Sequence, residues 1–224
     1  MPAWQAGRRV YESLLDELGM DASSVMKIIS TGYGRNSVDF ADKSMTEIIC
    51  HGAGAHFINP EVRSIIDIGG QDSKALVVDK DGKVKDFVMN DKCAAGTGRF
   101  LEVMARALEV NLDDFGALSL RSESPSKISS ICTVFAESEV ISLISKGEVR
   151  ENIIAGIHDS VASRVFAMAQ RIGLSQPIMM TGGVAKNIGV VKALEKKIGS
   201  PVEVNDYAQV NGAIGAAVLA GKMG

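Results

Sequence analysis

Two cysteines stand where a polar stretch gives way to an apolar helical pattern, the first of them just ahead of two glycines. Cys93 lies in "NDKCAAGTGRF", residues 90–100, and Cys132 in "SSICTVFAESEVISLI", residues 129–144. The start of a helix leaves N–H groups unpaired and favours negative charge. Thiolate ligands suit such places. Two buried structural cysteines are the competing reading, because free cysteine is among the most buried residue types. Counting sharpens the first reading. Common iron–sulfur clusters take four thiolates, and structural zinc takes four ligands. One chain supplies two cysteines in similar settings. A twofold pair of chains would supply four, from the same patch on each. Cys50 falls mid-helix beside His51 and reads as a core or surface thiol. His51, His56 and His158 are scattered and share no ligand spacing.

Two glycine pairs carry a second kind of chemistry. In "IIDIGGQDSK", residues 65–74, Asp67 closes an apolar run and Gly69 and Gly70 turn the chain. Backbone N–H groups in such a turn can face phosphate oxygens, since no side chain blocks them. Asp67 could hold Mg²⁺, directly or through water, and Gln71 could orient an attacking water. In "MMTGGVAKN", residues 179–187, a strand runs into Gly182 and Gly183 and a helix begins near Asn187. That pair would let backbone lie flat against adenine or ribose. Each motif alone also fits an ordinary turn. Together they suggest one nucleotide held between two lobes. No GxxxxGK[ST] loop and no GxGxxG after a strand occurs, so a P-loop is excluded.

The elements that must position these residues follow from periodicity. Helices are expected over 3–19, 42–56 (capped near Asp42), 98–110, 134–147, 152–173, 187–198 and 212–222. Strands are expected over 25–31, 64–68, 73–79, 83–89, 177–183 and 202–206, the second to fourth forming a meander. Strands and helices interleave, so an α/β layered fold is expected. The 224 residues are 46% hydrophobic and 23% charged, with a net charge of -3. That balance offers no basic footprint for nucleic acid or an anionic membrane. No apolar run is long enough to span a bilayer, and the opening helix pattern lacks the marks of a signal peptide. A cytoplasmic location is the expectation.

Six segments resemble the activator family of 2-hydroxyacyl-CoA dehydratases, within the group of benzoyl-CoA reductase ATPase subunits and related activases. They are "STGYGRN" (30–36), "IDIGGQDSK" (66–74), "MNDKCAAGTGRFLEVMA" (89–105), "ICTVFAESEVISLISKG" (131–147), "IIAGIHDSVASRV" (153–165) and "MTGGVAKN" (180–187). The resemblance implies a two-lobed acetate/sugar kinase–Hsc70–actin-like ATPase fold with ATP or ADP and Mg²⁺ between the lobes. Residues 1–62 with parts of 63–92 would form the N-terminal lobe, and 93–224 the C-terminal lobe. It implies a homodimer bridged by one [4Fe–4S] cluster, ligated by Cys93 and Cys132 of both copies. Asp67, Gly69, Gly70 and Gln71 match the second phosphate motif. Gly182, Gly183 and Asn187 match the adenosine motif. The implied activity is ATP-driven transfer of one electron from reduced ferredoxin or flavodoxin to a dehydratase or reductase component. Family members open with a hairpin of the form DxGSTxxK, which these residues lack. A small-molecule kinase of the same fold, or a nucleotide-binding module that does not hydrolyse, are the alternatives.

Overall fold

The computed structural model describes residues 2–129 and 132–223. Ile131, which opens one of the six segments, lies outside the described residues. Helix α1 (Ala3–Leu18) ends at Gly19, whose left-handed φ of 62° lets its N–H reach the Asp16 carbonyl. The expected strand 25–31 shortens to β1 (Ile29–Ser30), which pairs in parallel with β2 (Lys43–Ser44). Helix α2 (Glu47–Ile58) starts later than expected. Asp42 does not cap it. Its carboxylate accepts from the Ile28 N–H at 2.8 Å and from Lys27 Nζ at 2.9 Å, closing a loop instead. Thr46 caps α2 by accepting from the Ile49 N–H.

The meander forms as β3 (Ser64–Ile68), β4 (Ser73–Val78) and β5 (Val84–Asn90). Then come α3 (Gly98–Ala107), α4 (Leu112–Ser119), α5 (Thr133–Ser145) and α6 (Arg150–Ala169). Strand β6 (Ile178–Thr181), α7 (Ile188–Ile198), β7 (Val202–Glu203) and α8 (Asn211–Gly221) complete the chain. Helix α4 has no counterpart in the expected elements. Asn111 caps it, but Gly116 in its middle weakens the helical signal. A side chain there would crowd Asn187 Oδ1 and the Ile188 N–H.

Five strands make one sheet in the order β5-β4-β3-β6-β7. The meander is antiparallel, while β3–β6 and β6–β7 are parallel. The sheet therefore runs across both sides of the boundary expected near residue 93. Strand alternation sorts its side chains into two cores. Ile66, Ile68 and Met180 face the core built with α3, α4, α6 and α7, while Ile65, Leu76 and Met179 face Ala55 of α2. From β3 the chain winds outward through β4 and β5, then returns to β6 on the other side. A sheet that reverses order in this way opens a crevice at the carboxyl ends of the two strands.

Helices α2 and α8 lie backbone against backbone through glycine. A methyl on Gly215 would overlap the Cys50 carbonyl, and one on Gly54 would overlap the Asn211 carbonyl. Gly215→Ala should therefore cost roughly 1–3 kcal/mol by overpacking. Calorimetry should show a Tm several degrees lower; an unchanged Tm would mean the helices part freely.

Candidate nucleotide cleft and cysteine pair

Asp67 stands at the carboxyl end of β3, directly opposite Lys74 of β4 and beside Thr181 of β6. Its side chain is 4% exposed and that of Lys74 3%. Lys74 Nζ lies 3.3 Å from Asp67 Oδ2, 2.7 Å from Asp72 Oδ1 and 2.8 Å from Glu47 Oε2. Burial alone would lower the lysine's proton affinity. The Asp67 charge and the hydrogen bonds to Asp72 and Glu47 outweigh it and hold the ammonium above the usual lysine range. The Thr181 hydroxyl donates to Asp67 Oδ1 at 2.9 Å, and His51 Nδ1 lies 3.2 Å from that hydroxyl. Asn211 Nδ2 reaches the same ring nitrogen and the His51 carbonyl.

Beyond Asp67 the chain turns through Gly69 and Gly70, and the Gly69 N–H donates to the Asp72 carbonyl. A side chain at Gly70 or Gly183 would meet open space. Gly182 differs: its φ is 86°, and a Cβ there would strike the Ile68 carbonyl. The two glycine motifs thus sit side by side on adjacent parallel strands. A cleft of about 420 Å³ opens at this point, lined by Gly70, Gly98, Leu101, Leu112, Gly183 and Asn187. A larger hollow of about 620 Å³ lies against α6 near Gly96 and Ser126. Volume favours the hollow. Chemistry favours the cleft, which has the glycine turns and the strand ends beside the carboxylates.

Gln71 is exposed and forms no hydrogen bond with another described residue. Asn187 is already engaged. Its Oδ1 caps α7 by accepting from the Gly189 and Val190 N–H groups, and its Nδ2 lies 3.3 Å from His158 Nε2. Burial pushes His158 down to about 4, so the ring is neutral near pH 7. Any adenosine contact by Asn187 is made from a side chain fixed by the protein itself.

Cys132 is the exposed N-cap residue of α5. Cys93 is half-buried and stands five residues ahead of α3, whose N-cap is Thr97. Both cysteines thus precede helices that start close to where they are expected, Cys132 as the N-cap itself and Cys93 one short loop earlier. Cys50 is fully buried, and burial pushes its thiol up, away from ligand chemistry. Among the described residues, no group of three or more His, Cys, Asp or Glu side chains is placed to hold a metal ion. Val134, Phe135 and Ile141 of α5 are exposed apolar residues near Cys132.

Sequence reasoning named Asp67, Gly69, Gly70, Gln71, Gly182, Gly183 and Asn187; Gly70, Gly183 and Asn187 line the cleft, while Asp67, Gly69, Gln71 and Gly182 stand at or just beyond the ends of the adjacent strands β3 and β6. It missed the roles of Lys74, Glu47 and Thr181. The pairing of Asp67 with Lys74 was available from the hairpin, since a short turn sets register. Glu47 comes from a distant segment and left no local signal.

The BadF/BadG/BcrA/BcrD ATPase family model matches residues 3–220. The chain belongs to this family. It is 50% identical over 212 residues to the 2-hydroxyisocaproyl-CoA dehydratase activator of Clostridioides difficile, covering 95% of this chain and 80% of that protein. It is also 50% identical to the activator of lactoyl-CoA dehydratase of Anaerotignum propionicum over 213 residues, or 95% of this chain and 82% of that protein. Component A of the (R)-2-hydroxyglutaryl-CoA dehydratase of Acidaminococcus fermentans superposes with a TM-score of 0.94 at 51% identity, covering 96% of this chain and 83% of that one. The Clostridium difficile activator with bound ADPNP gives 0.92 at 49% identity, covering 96% and 81%. The fold is therefore the α/β ATPase fold of these activators. No helix among the described residues is long and apolar enough to cross a membrane.

Two tests follow from the buried titratable groups. Lys74→Met leaves Asp67 buried without its cation. Urea unfolding should show a loss of about 3–5 kcal/mol; an unmoved midpoint would mean that Asp67 is neutralised by another group. For His158, the folded value near 4 lies below the ordinary 6.5. The unfolded chain then binds the extra proton between these values, so stability is intact above pH 6.5 and falls as the pH drops. At about 1.4 kcal/mol for each pH unit between the two values, the wild type should lose about 3 kcal/mol from this ring by pH 4. His158→Gln should flatten that part of the pH profile.

Proposed function

We propose that the chain is the ATP-hydrolysing activator of a 2-hydroxyacyl-CoA dehydratase or a related CoA-ester reductase component. Hydrolysis would drive transfer of one electron, received from a reduced ferredoxin or flavodoxin, to that partner. The observation that carries this reading is one crevice with two glycine turns in a chain that also offers one exposed and one partly buried cysteine.

In the proposal, ATP phosphates meet the Gly70 N–H at the open side of the turn, the Gly69 N–H being held by the Asp72 carbonyl, and the nucleoside lies along Gly182 and Gly183. Gln71 is free to orient the water that attacks the γ-phosphorus. That oxygen–phosphorus bond forms as the bond to the β-phosphate oxygen breaks, leaving ADP and phosphate. Glu47, Asp67 and Asp72 surround the single cation of Lys74. The surplus negative charge suits Mg²⁺ arriving with ATP, which needs only one or two carboxylates beside phosphates and water. Asp67 and Asp72 would hold it.

Cys93 and Cys132 from each of two copies are proposed to hold a [4Fe–4S] cluster. The residues fit this group: Cys132 is exposed and stands before the free N–H groups of α5, and Cys93 is only partly buried. Two thiols in one chain leave the donor set half complete, and a twofold partner completes it. When bound, such a cluster supplies a one-electron store. The chain's own part is to present Cys132 at the surface, to leave Cys93 only partly buried and to exclude Cys50 by burying it.

Anaerobic reconstitution with iron and sulfide tests this reading. The wild type should take up iron, while Cys93→Ser and Cys132→Ser should each lose the full complement. Gln71→Ala should lower kcat for ATP hydrolysis by about 10²-fold with nucleotide affinity retained. A wild type that binds ATP but no iron would point instead to a small-molecule kinase or a simple nucleotide-binding module.

A further inference from the structure

The loop that carries Cys93 begins and ends on the glycine turn of the nucleotide cleft. Its first end is Asn90, the last residue of β5, which pairs with Ser73 immediately after the turn. Its second end is the start of α3. There the Gly98 N–H donates to the Gly69 carbonyl and the Arg99 N–H to the Gly70 carbonyl, each at 2.8 Å. The approach is close enough that a Cβ on Gly98 would press on the Gly69 carbonyl at 3.2 Å and on Gly70 Cα at 3.3 Å. Between these ends the loop is braced internally. Asn90 Nδ2 donates to the Cys93 carbonyl at 2.8 Å and lies 3.4 Å from the Ala95 carbonyl. The Thr97 hydroxyl and N–H both donate to the Ala94 carbonyl.

Cys132 is held differently. Its carbonyl accepts from the Ala136 N–H within its own helix. The preceding Ser129 binds Glu139, also of α5, through its N–H and hydroxyl. Among the described residues, no backbone hydrogen bond joins Cys132 to either glycine turn.

We infer that Asn90, Gly98 and Arg99 form a strap that makes Cys93, and not Cys132, follow the state of the Gly69–Gly70 turn. This rests on the proposed nucleotide site and adds which thiol responds to it and through which groups. The donors of the strap are backbone N–H groups at a helix start, and their acceptors are the turn carbonyls. A phosphate drawn to the N–H side of the turn shifts those carbonyls, and α3 must shift with them or lose two bonds. Asn90 and Gly98 are thus positioning residues for Cys93.

Thiol labelling of the iron-free full chain tests this without a cluster. Alkylation rates at Cys93 and Cys132 are read by peptide mass spectrometry, with and without ADP or a non-hydrolysable ATP analogue. Calorimetry establishes nucleotide binding separately. Nucleotide should change the Cys93 rate several-fold and leave the Cys132 rate within error. Asn90→Ala, which loosens the brace, and Gly98→Ala, which wedges the turn from α3, should each reduce that response. Asn90→Ala should keep the nucleotide Kd of the wild type. In the reconstituted protein, the difference in midpoint potential between ADP and analogue forms should shrink in Asn90→Ala at unchanged iron content. Bound nucleotide with no change at Cys93, or an equal change at Cys132, overturns the strap. Absence of nucleotide binding by calorimetry overturns the site itself, and the strap falls with it.

Discussion

The burial of one lysine ammonium among three carboxylates governs how the crevice is built. A lone buried charge is expensive, and a pair breaks even only with good geometry and satisfied hydrogen bonds. Lys74 meets this demand with three acceptors drawn from α2, the end of β3 and the glycine turn. The remaining oxygen of Asp67 takes the Thr181 hydroxyl. The hub therefore fixes the hairpin, the neighbouring parallel strand and α2 against each other. It also leaves excess negative charge beside an open turn.

Glycine does the complementary work of bringing backbone to backbone. Gly182 has no room for a side chain because β3 ends against it. Gly98 lets α3 rest on the turn, and Gly54 with Gly215 lets α2 and α8 close over His51 and Asn211. These contacts are stiff because hydrogen-bonded backbone has few alternative arrangements. Charge thus fixes the inner wall of the crevice, and glycine permits its outer parts to touch.

Much of this was legible in the residues. The meander, the glycine turns and the late helices follow from strand alternation and helical spacing, and the structure keeps them with small shifts of boundary. The errors share one cause. Asp42 has the chemistry of a helix cap, but a long-range bond to the Ile28 N–H competes for it. Gly116 hides α4 because its presence answers a tertiary contact with Asn187 and Ile188 and not a local need. Local pattern reports local demand, and each miss lies where a distant segment supplies the demand.

The three cysteines show the same division between what a residue is and where it is put. Cys50 lies in the packed seam of α2 and α8, where burial disfavours the thiolate. Cys132 stands in the open at a helix start, beside Phe135, which is 67% exposed. A large exposed apolar side chain is costly to leave in water, and such patches mark contact surfaces. In the proposed two-copy assembly, a contact across α5 beside Cys132 would cover Val134 and Phe135. Cys93, strapped to the turn, could then change its distance from that contact while the contact stays fixed. An arrangement with one anchored and one movable thiol per copy lets a small displacement at the nucleotide turn act on a shared group without breaking the interface that holds it.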